Sequence, residues 1–160
     1  MVIAELAVGG GVLGIGPMPG RGGDYDADLA DLLAWGPGLA LTMTTAEELA
    51  AKGAERMPQD LGAVGVTWLH LPIGDYGVPT KETLAAWPQA AAHARDVLAG
   101  GERVWVHCMG GCGRSGTAAL RLMVEAGEDP SAALERLRAV RPCAVETPEQ
   151  FQWAAAGGAL

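Results

Sequence analysis

The sequence predicts an α/β fold, in which helices flank both faces of a central, mostly parallel sheet. Short apolar segments alternate with longer segments of helical periodicity, and glycine or proline separates most of them. The predicted strands are residues 2–8, 11–15, 39–43, 64–71 and 104–107. The predicted helices span 24–35, 80–98, 115–125 and 130–140, with two more beginning after Thr45 and Thr147.

The elements of the first half follow from local patterns. A glycine cluster between residues 2–8 and 11–15 predicts a hairpin. Acidic residues open the helix at 24–35, where they suit the helix dipole, and Gly36-Pro37 ends it. Thr45 and Glu48 have the spacing of a capping box, so a helix begins there.

The elements of the second half have equally local signals. Pro72 ends the strand at 64–71, and the helix at 80–98 contains Pro88, where we expect a bend. Gly100-Gly101 closes that helix. Proline at 130 and at 148 marks the first turns of the two later helices.

Composition limits the classes of function. A chain of 160 residues fits one domain, predicted over 1–160. A formal net charge of −8 opposes binding to nucleic acid or anionic lipid, so neither is an expected partner. No apolar run approaches the roughly 20 residues of a membrane span, and the N-terminus lacks a positive region. With only three cysteines we expect no disulfide framework and a reducing cytoplasmic location. We also expect a monomer.

A glycine-rich loop between a strand and a helix has the residues for anion chemistry. Gly110, Gly111 and Gly113 permit tight curvature, and the backbone N–H groups at the helix start attract an anion. Arg114 adds a planar fork that matches two phosphate oxygens. Cys108 opens the loop in the same positive field, which favours its thiolate, the nucleophilic form.

The string from His107-Cys108 to Arg114-Ser115-Gly116 resembles the signature of the protein tyrosine phosphatase superfamily. The chain as a whole is similar to its compact dual-specificity members, near the cyclin-dependent kinase inhibitor-associated branch. The resemblance implies that Cys108 attacks phosphorus, Arg114 holds the phosphoryl oxygens, Ser115 assists release of the cysteine and His107 sets the loop. It also implies phosphate binding by the loop residues Met109, Gly110, Gly111, Cys112 and Gly113.

Two further residues enter through the same resemblance. Asp75 lies between Gly74 and Tyr76 after a predicted strand, in a segment similar to the family's general-acid loop. Gln150 occupies the place of a glutamine that orients the hydrolytic water in related enzymes. The implied reaction is phosphomonoester hydrolysis through a phosphocysteine intermediate, without metal or cofactor. The implied substrates are phosphoproteins or small phosphoesters, at a shallow site that leaves phosphotyrosine and phosphoserine or phosphothreonine open.

Three other functions would explain some of these residues. A rhodanese-like sulfurtransferase also places a cysteine between strand and helix, but its loop is usually shorter and needs no general acid. A pseudophosphatase that only binds phosphoproteins would normally have lost the cysteine, the arginine or the acid. A zinc site would use His107, Cys108, Cys112 and Cys143, although adjacent residues on a strand suit one ion poorly.

The loop departs from its relatives at two positions. Phosphoinositide-acting members have lysine where this chain has Met109 and Cys112, which argues against a polyphosphorylated lipid substrate. Cys112 either packs inward, which we favour, or forms a disulfide with Cys108 that shields the nucleophile from irreversible oxidation. Cys143 is a second possible partner.

Overall fold

A five-stranded sheet forms the centre of the protein. The computed structural model describes residues 1–159, so Leu160, the last residue of the predicted domain, lies outside the described residues. The strands are β1 (Ala4–Val8), β2 (Gly11–Gly16), β3 (Leu39–Thr42), β4 (Thr67–His70) and β5 (Arg103–His107). They lie in the order β1-β2-β5-β3-β4, and only the β1–β2 hairpin pairs antiparallel. The predicted α/β fold with a mostly parallel sheet is confirmed.

Residues 1–159 form seven α-helices, of which four lie between strands and three follow β5. They are α1 (Tyr25–Trp35), α2 (Ala46–Ala51), α3 (Met57–Ala63), α4 (Lys81–Ala99), α5 (Gly113–Glu125), α6 (Pro130–Val140) and α7 (Pro148–Ala155), and a 3₁₀ turn at Ala156–Ala159 follows. None of them is long and apolar enough to cross a bilayer.

Helices cover both faces of the sheet, with a separate apolar core on each. Along β5, Val104 and Val106 face the core shared with α4 and α5, whereas Trp105 faces the core shared with α1 and α3. This alternation is the period of two that a strand buried on both faces requires. Because β2, β3 and β5 run parallel and in register, Gly16 and Thr42 flank His107 at their common carboxyl end.

The predicted boundaries need correction between β3 and β4. The segment after α2 forms a further helix, α3, which the sequence analysis did not predict. Val64 and Val66, predicted to begin a strand, instead close the turn after α3, because their backbone N–H groups both donate to the Leu61 carbonyl. The strand therefore begins only at Thr67.

Candidate active site

The phosphate-binding loop predicted from the sequence joins the carboxyl end of β5 to the first turn of α5. Cys108 is 3 % exposed, and its Sγ lies 3.2 Å from Oγ of Ser115, which is fully buried in α5. The helix begins at Gly113, two residues earlier than predicted. The hydroxyl and the thiol therefore lie together at the loop's base, below the N–H groups of the helix start.

Gly111 allows the loop to pack against the β2 end. Its φ is +74°, and a Cβ atom there would lie 2.7 Å from the carbonyl carbon of Gly16. Next to it, the Met18 N–H donates to the Met109 carbonyl at 3.1 Å. A side chain at position 111 would separate the loop from this support.

Arg114 is buried and held by a carboxylate that the sequence analysis interpreted only as a helix cap. Glu48 accepts from both terminal nitrogens of Arg114, at 2.7 and 2.8 Å, and the Ile73 carbonyl accepts a third bond at 2.9 Å. The hydrogen bonds from Arg114 lower the pKa of Glu48 to about 2. Glu48 also completes the predicted capping box with Thr45. One carboxylate thus starts α2 and orients the arginine.

His107 is fully buried, and its hydrogen bonds fix one neutral tautomer. The Cys108 carbonyl can only accept, so Nδ1 of His107 carries the proton and donates to it at 3.1 Å. Nε2 of the neutral ring therefore accepts from the Thr42 hydroxyl at 2.7 Å, and that hydroxyl accepts from the Trp68 indole, also at 2.7 Å. Burial lowers the pKa of His107 to about 4, so the ring holds the loop as a neutral group.

Asp75 lies at the cavity mouth on the loop between β4 and α4. Its carboxylate is 65 % exposed, and Oδ1 lies 3.6 Å from Nη2 of Arg114. The loop is attached below it, because the Ile73 N–H donates to the Met43 carbonyl at 3.0 Å and the Thr83 hydroxyl donates to the Pro72 carbonyl at 2.6 Å. The attachments place Asp75 opposite the phosphate-binding loop.

Gln150 is buried at the start of α7, and its side chain contacts the backbone of the Asp75 loop. The amide oxygen accepts from the N–H groups of Glu146 and Thr147, at 2.8 and 3.3 Å. Its Nε2 donates to the Gly77 carbonyl at 3.1 Å. In this arrangement the side chain connects α7 to the Asp75 loop, and Gln150 is not among the residues that line the active-site cavity.

Cys112 forms a disulfide with Cys143, which corrects two predictions. It neither packs as a free thiol nor pairs with Cys108, which keeps its free thiol. The two Cα atoms lie 5.1 Å apart because the segment after α6 folds back over the loop. Spacing along the chain could not reveal this approach. It also removes the zinc alternative, since these two sulfurs are bonded to each other.

Arg141, the residue that follows α6, holds the same loop from outside. Its Nε donates to the Gly111 carbonyl and its Nη2 to the Gly110 carbonyl, both at 2.8 Å. With these two carbonyls turned outward, the loop's N–H groups are available to the cavity. No local signal marks Arg141, because its partners precede it by 30 and 31 residues.

These elements surround one cavity of about 200 Å³. It brings together the predicted nucleophile Cys108, the arginine Arg114 and the acid Asp75. The other lining residues are Arg21, Tyr76, Met109, Gly110, Cys112, Gly113 and Glu146. Ser115 and His107 support the cavity from beneath, through the contacts described above.

Comparisons with known proteins agree with this geometry. The family model described as "Swiss Army Knife protein, DSP-PTPase phosphatase domain" matches residues 22–154. A structure of kinase-associated phosphatase with serine in place of its catalytic-site cysteine is 21 % identical over 98 % of this chain and 93 % of its own, with a TM-score of 0.83. Tk-PTP in its active form is 28 % identical over 99 % of both chains, with a TM-score of 0.74.

A third similar structure has a bound ligand. PTPMT1 in complex with PI(5)P is 22 % identical over 92 % of this chain and 90 % of its own, with a TM-score of 0.74. The three structures share the α/β phosphatase fold, and the family match covers most of the chain. The chain belongs to the DSP-PTPase phosphatase domain family of Swiss Army Knife proteins and is a cysteine-dependent phosphatase of the protein tyrosine and dual-specificity type.

Proposed function

We propose that this phosphatase uses Cys108 as its nucleophile, Arg114 as the phosphoryl-binding residue and Asp75 as the general acid. The observation that carries this assignment is that all three line one cavity, with Ser115 Oγ 3.2 Å from the Cys108 sulfur. No other cysteine is free among residues 1–159. The sulfurtransferase and pseudophosphatase alternatives are not favoured, since a nucleophile, an anion site and an acid occur together.

In the first step, the Cys108 thiolate attacks phosphorus. A sulfur–phosphorus bond forms while the bond between phosphorus and the leaving oxygen breaks, and the Asp75 carboxyl group donates its proton to that oxygen. The exposed position of Asp75 at the cavity mouth suits this role, because the leaving group points out of the loop. General acid catalysis of this kind contributes about 10²- to 10⁴-fold in rate.

Arg114 stabilises the charge on the transferring phosphoryl group. A guanidinium has about five N–H donors, and Glu48 and Ile73 accept three of the hydrogen bonds of Arg114. The Nε donor and one Nη2 donor remain for phosphoryl oxygens, the latter on the side where Asp75 lies at 3.6 Å. Since Glu48 fixes the plane of the fork, these two donors are oriented before substrate binds.

In the second step, water hydrolyses the phosphocysteine. The water oxygen bonds to phosphorus while the sulfur–phosphorus bond breaks, Asp75, now ionised, accepts a proton from that water, and inorganic phosphate is released. The Ser115 hydroxyl donates to the departing Cys108 thiolate across the 3.2 Å contact. The orientation of this water by Gln150 stays a prediction. The hydrogen bond from Gln150 to the Gly77 carbonyl also supports a role for Gln150 in positioning the Asp75 loop.

The proposed substrates are phosphoproteins. The cavity has a volume of about 200 Å³. A phosphoinositide is the second candidate, because a similar structure, PTPMT1, was solved with PI(5)P. The lack of lysine in the loop of this chain favours the phosphoprotein.

A kinetic comparison of single variants tests the mechanism. Wild type should hydrolyse p-nitrophenyl phosphate and form a phosphocysteine at Cys108, detected by mass spectrometry after acid quench. Cys108→Ser should lose both. Asp75→Asn should lose about 10²- to 10⁴-fold in kcat with phenyl phosphate and less with p-nitrophenyl phosphate, whose leaving group needs less protonation.

The controls separate this mechanism from its alternatives. Exposed Asp96, on α4 and outside the cavity, provides a matched Asp→Asn variant that should keep wild-type rates. Activity with thiosulfate and none with phosphate esters would indicate a sulfurtransferase instead. Wild-type rates in Cys108→Ser would refute the assignment of the nucleophile.

The cellular setting is part of the proposal. We propose a cytoplasmic monomer. The Cys112–Cys143 disulfide does not fit the expectation of a chain without disulfides, because the reducing conditions that keep Cys108 as a thiol would also open this bond. The Cys112–Cys143 disulfide makes the redox state of the compartment measurable, because thiol labelling in intact cells distinguishes one free cysteine from three. Light scattering of the purified protein gives the oligomeric state, and a dimer would contradict the proposal.

A further inference from the structure

A second cationic side chain lies at the active-site mouth and has no role in the mechanism above. Arg21 lines the cavity with Cys108 and Arg114. Its guanidinium lies over the phosphate-binding loop, where a Cβ atom on Gly110 would be 3.5 Å from Nη1 and 3.7 Å from Nη2. The side chain is exposed, and no carboxylate among residues 1–159 forms an ion pair with it.

The backbone holds Arg21 in this place. Its N–H donates to the Met18 carbonyl at 3.0 Å, and the Met18 N–H donates to the loop carbonyl of Met109 at 3.1 Å. Beside it, the Gly20 N–H donates to the Asp28 carboxylate at 2.9 Å. The backbone of Arg21 therefore belongs to a turn that is hydrogen-bonded to the phosphate-binding loop.

Another residue of the cavity lining, Glu146, has the opposite charge. Glu146 lines the cavity near Gly113, three residues along the loop from Gly110, and a Cβ atom on Gly113 would collide with its carboxylate. Glu146 is exposed and comes from the segment before α7. The mouth is thus cationic above one end of the loop and anionic above the other, in a chain whose net charge is −8.

From this polarity we infer that Arg21 is a specificity-determining residue, which binds a second anionic group of a phosphopeptide beside the scissile phosphate. The inference rests on the proposed function. The scissile phosphoryl group occupies the loop and Arg114, so Arg21 is left to meet a carboxylate or phosphate on a neighbouring residue. The arginine fork matches either group. An acidic side chain on the Glu146 side would be repelled, so the charge pattern also orients the peptide.

The expected size of the effect follows from the exposure of Arg21. An exposed ion pair contributes about 0.2–1 kcal/mol, which corresponds to a preference in kcat/KM of up to about fivefold. It should be greatest at low ionic strength, because salt screens exposed charges over roughly 10 Å at 0.1 M. Peptides that carry an acidic residue on only one side of the phosphorylated residue reveal which flank faces Arg21.

The test compares three phosphotyrosine peptides that have Asp before, Asp after or Asn on both sides of the phosphotyrosine. Wild type should prefer one Asp peptide over the Asn peptide by about two- to fivefold, less at high salt. Arg21→Gln should bring that ratio to one, and Arg21→Glu should invert it. Lys81→Gln removes the same charge from an exposed residue outside the cavity, and should keep the wild-type ratio.

Each outcome decides the inference separately from the proposed function. If wild type hydrolyses none of the peptides and no p-nitrophenyl phosphate, the proposed function fails. If it hydrolyses all three peptides with equal kcat/KM, or if Arg21→Gln keeps the wild-type ratio, the role of Arg21 is refuted. A preference that appears only with PI(5)P vesicles over phosphate-free vesicles, and not with peptides, would refute the peptide assignment.

Discussion

Removal of the Cys112–Cys143 disulfide should cost the protein a substantial part of its stability. The bond links residues 31 positions apart, so it restricts a long loop of the unfolded chain. The chain-entropy relation gives about 12 cal/mol/K for a loop of this length, or about 3.7 kcal/mol at 25 °C. Domains of this kind are stable by about 5–15 kcal/mol in total.

Removal of the disulfide should lower the free energy of unfolding and change the geometry of the active site little. When the disulfide is absent, Arg141 still donates to the Gly110 and Gly111 carbonyls, and the Val145 N–H still donates to the Cys112 carbonyl at 3.4 Å. A loss of about 3.7 kcal/mol corresponds to a decrease in Tm of about 7–15 °C for a chain of this size.

Urea unfolding monitored by tryptophan fluorescence measures the effect, because Trp105 is fully buried in the core. The variants are Cys143→Ser and the double variant Cys112→Ala/Cys143→Ser, which prevents a new bond between Cys112 and Cys108. Both should unfold at lower urea concentration than oxidised wild type, and with a larger m-value, because the unfolded chain without the cross-link is less compact. Reductant should move wild type to the midpoint of the double variant and leave the double variant unchanged.

Two results would refute this reasoning. If the denatured, unreduced protein titrates with three thiols, the bond does not form. If the bond is present and oxidised and reduced wild type unfold at the same urea concentration, the disulfide does not restrict the unfolded chain as calculated.

Three further predictions concern the residues that hold the site. Hydrogen bonds from Arg114 lower the pKa of Glu48 from 4.5 to about 2. The contribution of Glu48 to stability is therefore present above about pH 4.5 and is lost as pH falls toward 2. Glu48→Gln should flatten this part of an acid-unfolding curve. Burial lowers the pKa of His107 from 6.5 to about 4, so stability should fall as pH drops across that range, and His107→Gln should remove the slope measured by urea unfolding. Gln150→Ala should lower kcat with phenyl phosphate severalfold and weaken orthovanadate binding less. The reason is that the variant frees the Asp75 loop at Gly77 and leaves the phosphate-binding loop intact. An equal loss in kcat and in orthovanadate binding would show that Gln150 supports the whole site.

Much of the fold could be predicted from the sequence because its signals are local. The hairpin of β1 and β2, the capping box at Thr45 and the proline-initiated helices α6 and α7 all depend on residues a few positions apart. The phosphate-binding loop was predictable for the same reason, since Cys108 and Arg114 lie within one strand–loop–helix unit.

The contacts that position this loop could not be predicted. Glu48 has a complete local explanation as a capping residue, so nothing in the sequence indicated that it also binds an arginine 66 residues away. Cys143 and Arg141 reach the loop only because α6 packs on α5 and the chain then turns back. The helix α3 was missed because its short sequence, Met57–Ala63, contains a proline and a glycine.

The attachment of the phosphate-binding loop to Arg141 and Cys143, and of the Asp75 loop to Gln150, has a consequence for synthesis of the protein. During translation, Cys108 and Arg114 leave the ribosome before Arg141, Cys143 and Gln150 do. The nascent chain can therefore form β5 and α5 while the loop carbonyls, the Cys112 thiol and the Asp75 loop still lack their later partners. Phosphatase activity should appear abruptly, once the final helix has emerged and packed on α5.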